Sequence, residues 1–497
     1  MFVFQMADIM PALPEIFLAA VALVLVLVAA YGGETAANAR RVTQLAMAGI
    51  VIALLLVINS DQVITSAFGG MFSADSFAGF MKALVLLGTF AALAMSIRTS
   101  GDDDINKPEY SLLILLALVG MMLMISADNL MALYMGVELQ SLPLYVVAAM
   151  RTSSLRSSEA GLKYFLLGAL SSGLLLYGAS LVYGIAGTTD FDGIALALAG
   201  QDLPPVFIIG MVFMICGLAF KISAAPFHMW TPDVYEGSPT LVTALFAIAP
   251  KVAAISLLMR LTYGAFGGIA DQWQQVLVAL SVASMVIGAL GAIMQTDIKR
   301  MMAYSSIAHM GYATAGLAAG SVAGATGVMI YMTGYVFMGA GTFAIILLMR
   351  RDGAEATKIV DLKGLSRTHP ALAVGLLIMM FSMAGIPPLA GFFGKWYVFL
   401  AAVEAGLVPL AVIGVVTSVV GAFYYLRIIR LMYFDDTDTP LDAGIPVANR
   451  MVLGASLAVV LLFFAGLGSL LGAADTAAVA LIMACLLYTS PSPRDLY

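Results

Sequence analysis

Residues 204–230 read PPVFIIGMVFMICGLAFKISAAPFHMW. From Val206 to Phe220 no side chain is charged. The run does not alternate polar with apolar, and it is too long for a buried strand. It reads as a helix in hydrocarbon, where about 20 apolar residues cross a bilayer. It then meets Lys221 and Pro226. A lysine at a helix centre costs roughly 2.5–3.5 kcal/mol on insertion scales. A proline removes a backbone donor and breaks or kinks the helix. Broken backbone at membrane depth is tolerated only against protein or a watery cavity. This one stretch therefore points to a polytopic membrane protein with a polar interior.

The rest of the chain agrees. Of 497 residues, 62% are hydrophobic and 10% charged, and the mean hydropathy is +1.01. Soluble proteins carry about 25% charged residues. Apolar runs lie at 12–31, 42–59, 76–97, 110–127, 129–149, 159–184 and 204–225. Others follow at 239–262, 273–293, 301–318, 323–349, 371–400, 406–430 and 451–473. The reading is all-α, with about fourteen transmembrane helices; runs this long without alternation exclude a barrel. Loops after the odd-numbered spans collect the cations, among them Arg40, Arg41, Arg98, Arg151, Arg156, Lys299, Arg300 and Arg350. The opposite loops hold only Arg260 and Arg494 and are acidic, with Asp190, Asp192 and Asp202. The positive-inside rule places both termini away from the cytoplasm. No basic region precedes the first apolar run, so no cleavable signal peptide is expected.

Composition also limits the chemistry. Two cysteines, Cys216 and Cys485, exclude a Cys-ligated cluster or disulfide framework. Three histidines leave little room for haem, and a net charge of −6 implies no nucleic-acid partner. No nucleotide-binding βαβ unit fits among the spans, so direct redox catalysis is disfavoured.

Five lysines stay inside spans: Lys82, Lys163, Lys221, Lys251 and Lys395. Glu138 is the carboxylate read well inside one. Lysine can lose its proton when desolvated, whereas arginine effectively cannot. Scattered structural pairs are the plain alternative, but a lysine-only set favours changing protonation. Glu138, Lys221, Lys251 and Lys395 are the functional candidates; Lys251 directly follows Pro250, and Lys395 lies beyond Pro387 and Pro388. Lys163, four residues after Glu159, is equally an ordinary helical ion pair. Lys82 reads as a snorkelling lysine near a span end. His309, in YSSIAHMGYATAG, is either a core histidine bonded to a neighbouring Ser or Tyr or a relay between Lys251 and Lys395. His228 follows the Pro226 break and borders an opening; His369 belongs to a basic loop.

Lys221 and Lys395 accompany proline-interrupted helices in the seventh and twelfth spans. A unit recurring after five spans is inverted, since an odd number of crossings flips direction, and inverted repeats with discontinuous helices mark transporters. The expected organisation is an N-terminal three-helix segment (1–109), a first unit (110–262), a second inverted unit (263–433) and a C-terminal helix (434–484). Residues 485–497, CLLYTSPSPRDLY, read as a non-native tail.

The motifs VELQSLPLYVV, FKISAAPFHMWTPDVYEGSPT, APKVA, QTDIKRMMAYSSIAHMGY and SMAGIPPLAGFFGKW resemble the antiporter-like membrane subunits of respiratory NADH:quinone oxidoreductase, complex I. The resemblance covers about residues 10–470. It implies fourteen helices with two inverted five-helix repeats and broken helices seven and twelve. It also implies a Glu138–Lys221 pair modulated by Lys163, a central Lys251 on a proton path, a terminal Lys395, and His309 between these two. Lysine at 395, where the M branch usually has glutamate, and the lack of the L branch's lateral helix favour the N branch. On this resemblance no cofactor binds here: flavin and iron–sulfur clusters belong to other subunits. The chain would join a hetero-oligomer beside subunits K and M, with L and J in the same membrane arm.

The leading functional expectation is proton translocation driven by NADH-to-quinone electron transfer elsewhere in the complex. A multisubunit Na⁺/H⁺ antiporter subunit shares the fold and the lysines, and a non-conducting spacer is a third possibility.

Overall fold

The structure, a computed structural model, describes residues 9–60, 65–97, 105–198, 203–436, 440–442, 444 and 446–489. Its helices begin with α1 (Leu13–Gly32), α2 (Ala36–Ile58), α3 (Ser76–Ser96), α4 (Pro108–Ser126), α5 (Leu130–Ala148) and α6 (Leu155–Ala186). The middle holds α7 (Phe191–Leu198), α8 (Pro205–Lys221), α9 (Trp230–Gly237), α10 (Thr240–Tyr263), α11 (Ala270–Ile293) and α12 (Ile298–Ala318). The last part holds α13 (Val322–Ile346), α14 (Leu365–Thr368), α15 (Pro370–Ala384), α16 (Ala390–Glu404), α17 (Val408–Phe434) and α18 (Val447–Thr489). Two short hairpins, β1 (Thr65–Ala67) with β2 (Phe72–Ala74) and β3 (Arg350–Arg351) with β4 (Ala354–Glu355), are antiparallel.

Eleven of the described helices are long and apolar enough to cross a membrane. The other three expected spans fail that test for separate reasons. The 204–225 and 371–400 runs are interrupted, leaving α8 with 17 residues and α15 with 15. Helix α12 has 21 residues, but Lys299, Arg300, His309 and five hydroxyl residues dilute its hydropathy. Residues 490–497 of the expected tail, and Arg98, Asp202 and Arg494, lie outside the described residues.

Polar caps start the helices where the chain turns. Thr35, Asp75, Asn129, Ser154, Asp297 and Ser321 each accept from a free amide in a first turn. Between α4 and α5 the backbones approach closely: a Cβ on Gly120 would stand 2.3 Å from the Gln140 amide nitrogen, so only glycine fits. Helix α10 is the hub, with its whole apolar window buried. Helices α1, α2, α6 and α17 instead expose leucine, valine and phenylalanine, such as Leu27, Leu55, Leu170 and Val419. In water such faces would aggregate; in a bilayer they are ordinary.

One end of the bundle gathers Ala12, the β1–β2 hairpin, and bridges from Phe72 to Ala127 and from Asn129 to Asp190. The other end gathers the β3–β4 hairpin, a bridge from Asp297 to Lys358, and the Arg151–Glu355 ion pair at 2.9 Å. Two expectations fail at the first end. Arg260 is no loop residue: it occupies the last turn of α10, almost fully buried, and grips both oxygens of Asp75 at 3.0 Å. The Ile125 carbonyl accepts from its Nε at 2.8 Å. The buried cations are thus not all lysines. Lys82 does not snorkel, because the N-terminal segment and the hairpin cover the surface it would reach. It pairs with Glu15 at 2.6 Å, both side chains buried, with the Phe72 ring 4.7 Å from its Nζ.

Breaking a buried pair from one side strands the other charge at about 3–5 kcal/mol. Lys82→Leu should therefore destabilise the protein strongly, and adding Glu15→Gln should recover most of the loss. Thermal unfolding in detergent reads both; equal destabilisation by the single and double variants would refute the pairing.

Candidate functional site

Helix α8 ends at Lys221 and α9 begins at Trp230. The turn between them includes a cis Ala225–Pro226 bond and Ser223 at φ +62°. That left-handed conformation is uncommon for a residue with a Cβ. It points the Ser223 hydroxyl at Lys251. The Lys251 Nζ, 1% exposed, donates to Ser223 Oγ and to the Ile222 carbonyl at 3.1 Å. Trp230 and Tyr235 of α9 set their rings 5.7 and 6.0 Å from it. The central lysine thus rests on the carbonyl end of an interrupted helix, where partial negative charge and free acceptors coincide.

Lys395 repeats that arrangement at the second interruption. Helix α15 stops at Ala384, Gly385 takes φ +92°, and α16 starts at Ala390. The Lys395 Nζ donates to the Met383 and Ala384 carbonyls at 2.9 and 3.0 Å and to Ser418 Oγ at 2.7 Å. The Tyr312 ring lies 5.0 Å away. Lys395 therefore corresponds in chemistry to Lys251 and not to Lys221, which is itself the last residue of α8. The shared prolines had suggested the other match, but Lys395 is in the second half-helix of its break.

Lys221 has its own acceptors, Ser141 Oγ at 2.8 Å and Tyr145 OH at 3.4 Å, both on α5. The expected Glu138–Lys221 ion pair does not form: Glu138 Oε1 is buried without a hydrogen-bond partner, and Lys221 is held by the two hydroxyls. Tyr145 packs edge-on against Tyr164, and Tyr164 stacks on Trp230 at 4.5 Å, so an aromatic wall joins the Lys221 and Lys251 sites. Gly168 makes room for it, since a Cβ there would stand 2.1 Å from Tyr145 OH.

His309 is fully buried in hydroxyls. Its Nδ1 is bonded to Tyr331 OH and its Nε2 to Tyr425 OH at 3.0 Å. Tyr425 continues to Ser305 at 2.5 Å, and Ser306 bonds Tyr335 at 2.8 Å. Tyr335 and Tyr312 place their rings 5.5 and 6.0 Å from the imidazole. Tyr312 reaches Lys395, while on the Lys251 side the Tyr235 hydroxyl is buried without a hydrogen-bond partner.

Lys163 stands apart from Glu138 and Lys221. It pairs with Glu159 and with Asp233, both at 2.8 Å, in a half-exposed cluster that Arg300 extends to Asp233 and Glu236 at 2.6 and 3.1 Å. His228 lies partly exposed in the turn after α8 and His369 in the basic end. Among the described residues no three His, Cys, Asp or Glu side chains gather to hold a metal.

Sequence reasoning missed Ser141, Tyr145, Ser223, Trp230 and Ser418, and offered a Ser or Tyr for His309 without pointing to Tyr331 and Tyr425. Part of this was readable: Glu138, Ser141 and Tyr145 are spaced i, i+3, i+7, and Ser305, His309 and Tyr312 are spaced i, i+4, i+7, so each set shares a helix face. The charges drew attention; the hydroxyls that hold them did not.

A family model described as NADH:quinone oxidoreductase/Mrp antiporter, TM, matches residues 127–421. The NADH-quinone oxidoreductase subunit N of Rhodospirillum rubrum is 53% identical over 484 residues, covering 97% of this chain and 99% of that protein. A chain of respiratory complex I from Thermus thermophilus superimposes with TM-score 0.78 and 33% identity, over 92% of this chain and 99% of the other. A chain of the Mrp complex from a Dietzia species shares the fold at TM-score 0.85 and 23% identity, over 97% and 99%. Taken with the helical bundle and its buried lysines, the match over more than half its length and these full-length likenesses place the chain in the NADH:quinone oxidoreductase/Mrp antiporter transmembrane family.

Proposed function

We propose that the chain is the N-type, proton-translocating membrane subunit of an NADH:quinone oxidoreductase, in which electron transfer in other subunits drives proton movement here. The observation that carries this is the placement of Lys251 and Lys395 on the carbonyl ends of interrupted helices, with His309 and its tyrosines between them. The names and full-length identity of the relatives support it over a separate Na⁺/H⁺ antiporter, for which the likeness is one of fold.

In this reading α8 with α9, and α15 with α16, are the halves of broken spans seven and twelve, within inverted units 110–262 and 263–433. The basic end faces the cytoplasm and both termini the periplasm of a bacterial inner membrane, in keeping with the distribution of Lys and Arg. Subunits K and M are the proposed neighbours, with L and J in the same arm, and flavin and iron–sulfur clusters are assigned to other subunits.

The chemistry follows from the acceptors. Lys251 is held by one carbonyl and a hydroxyl, and Lys395 by two carbonyls and a hydroxyl, neutral acceptors that stabilise an ammonium. Buried Thr231 Oγ1 in α9 and Ser238 Oγ just after it have no hydrogen-bond partner, and such atoms are where internal water is held. Lys251 then takes a proton from the basic side, His309 and the tyrosines carry it laterally, and Lys395 is the outward stop. Intermediate stops are reasonable, since moving one charge through the full potential costs about 2.3 kcal/mol per 100 mV.

Lys251→Ala should suppress pumping far more than assembly, and Lys251→Arg nearly as much, because arginine keeps its proton. Proton uptake per electron pair in the assembled variant is the measurement, and a wild-type ratio would end the assignment. For Lys395, glutamate should retain part of the pumping, because it also titrates, and leucine should lose more. A merely structural lysine gives the reverse order. Glu138→Gln and Lys221→Ala should be non-additive in a double-mutant cycle on pumping rate; strict additivity would show that the two act separately.

A further inference from the structure

Between α8 and α9 the residues Ile222, Ser223, Ala224 and Ala225 are fully buried, so each amide needs an acceptor inside the protein. Three find one in the helix just ended: Ile222 donates to Leu218, Ser223 to Phe220 and Ala224 to Ala219. Ala225 turns elsewhere. Its N–H crosses to α11 and donates to Ser284 Oγ at 2.8 Å. Ser284 is itself fully buried and donates its own proton to the Leu280 carbonyl at 2.6 Å. One hydroxyl thus closes the account of two buried backbone groups on different helices.

That bond lies two residues from Ser223, the residue whose hydroxyl meets Lys251. Ser223 holds φ +62°, and a side chain other than glycine stays there only where its surroundings fix it. On one side Trp230 Nε1 fastens the Phe220 carbonyl at 3.0 Å. On the other, Ser284 fastens the Ala225 amide. The Ser223 hydroxyl and the Ile222 carbonyl, both between these two points, are the acceptors of the Lys251 ammonium. A fixed point must itself be held, and α11 is clamped along α12. A Cβ on Gly288 would stand 2.5 Å from the Ala308 amide nitrogen, and Ser281 Oγ donates to the Gly311 carbonyl at 2.7 Å. At the second interruption Ser382 Oγ likewise accepts from the Gly391 amide at 3.0 Å, but Ser382 belongs to the interrupted helix α15 itself.

We propose that Ser284 is a positioning residue for Lys251: by holding the Ala225 amide it keeps Ser223 left-handed, with its hydroxyl on the lysine. Without the Ser284 hydroxyl a buried donor is stranded, which drives the turn to relax. Ser223 then returns to an ordinary φ, and Lys251 is left with the Ile222 carbonyl. The lost contact is one that favours the ammonium form. The geometric claim stands by itself; its effect on pumping rests on the proposed proton path.

The test uses the assembled complex carrying Ser284→Thr or Ser284→Val. These side chains share a shape, and only threonine keeps the acceptor; Ser284→Ala removes the acceptor without adding bulk. Cryo-electron microscopy reads the geometry. In the Val and Ala variants the Ser223 hydroxyl should leave Lys251, and in the Thr variant it should stay. Ser223 still left-handed and on Lys251 in Val and Ala overturns the proposal. Pumping rate at matched assembly should fall roughly three- to tenfold in Val relative to Thr. Ser223→Gly takes a left-handed φ freely but has no hydroxyl, so adding Ser284→Val to it should cost little more. Full additivity of these two overturns the route through Ser223. Where Lys251→Ala pumps poorly, equal pumping by the Thr and Val variants also overturns the proposal. Where Lys251→Ala pumps at the wild-type rate, the proton path has failed instead, and the geometry alone decides the role of Ser284.

Discussion

A helix in hydrocarbon satisfies its own backbone and has nothing left for a cation, except at its ends, where the last carbonyls lack partners. An ammonium in hydrocarbon has the opposite need. Each problem solves the other when a helix stops inside the bundle and a lysine reaches its final carbonyls. This is what Lys251 does at Ile222 and Lys395 at Met383 and Ala384. The interruptions and the lysines are therefore one device used twice.

The two copies differ in what surrounds them. The first adds Lys221, held by Ser141 and Tyr145, and shares an aromatic wall with Lys251 through Tyr164 and Trp230. The second is approached through Tyr312 and the His309 cluster. Tyrosine suits the space between two buried cations. It donates and accepts, stays neutral, and fills volume that would otherwise demand packing by apolar residues.

The spans, the interruptions and the lysines were legible because each is a local signal: an apolar run, a proline, a charge where none belongs. Partners were not, because they come from distant segments. Nothing near Lys82 announces Glu15, and nothing near Arg260 announces Asp75, although these are the best-formed ion pairs of the interior. Arg260 was assigned to a loop because hydropathy blurs the last turn of a helix. The Glu138–Lys221 contact came from family resemblance, and the geometry gives Lys221 two hydroxyls in its place. Lys395 was matched to Lys221 by proline spacing, which locates a break without saying which half of it carries the charge.

These partners divide the buried cations into two kinds. Arg260 and Lys82 have carboxylates at 3.0 and 2.6 Å. These two ion pairs tie α1, α3 and α10 together. Lys221, Lys251 and Lys395 have only carbonyls and hydroxyls as direct partners. Such neutral acceptors steady an ammonium without committing it, because they stay intact when the proton leaves. Glu138 fits the same division. It makes no ion pair with Lys221, whose direct partners are hydroxyls. In this bundle the type of acceptor, more than the identity of the cation, separates two kinds of buried charge: those paired with a carboxylate and those held by neutral oxygens.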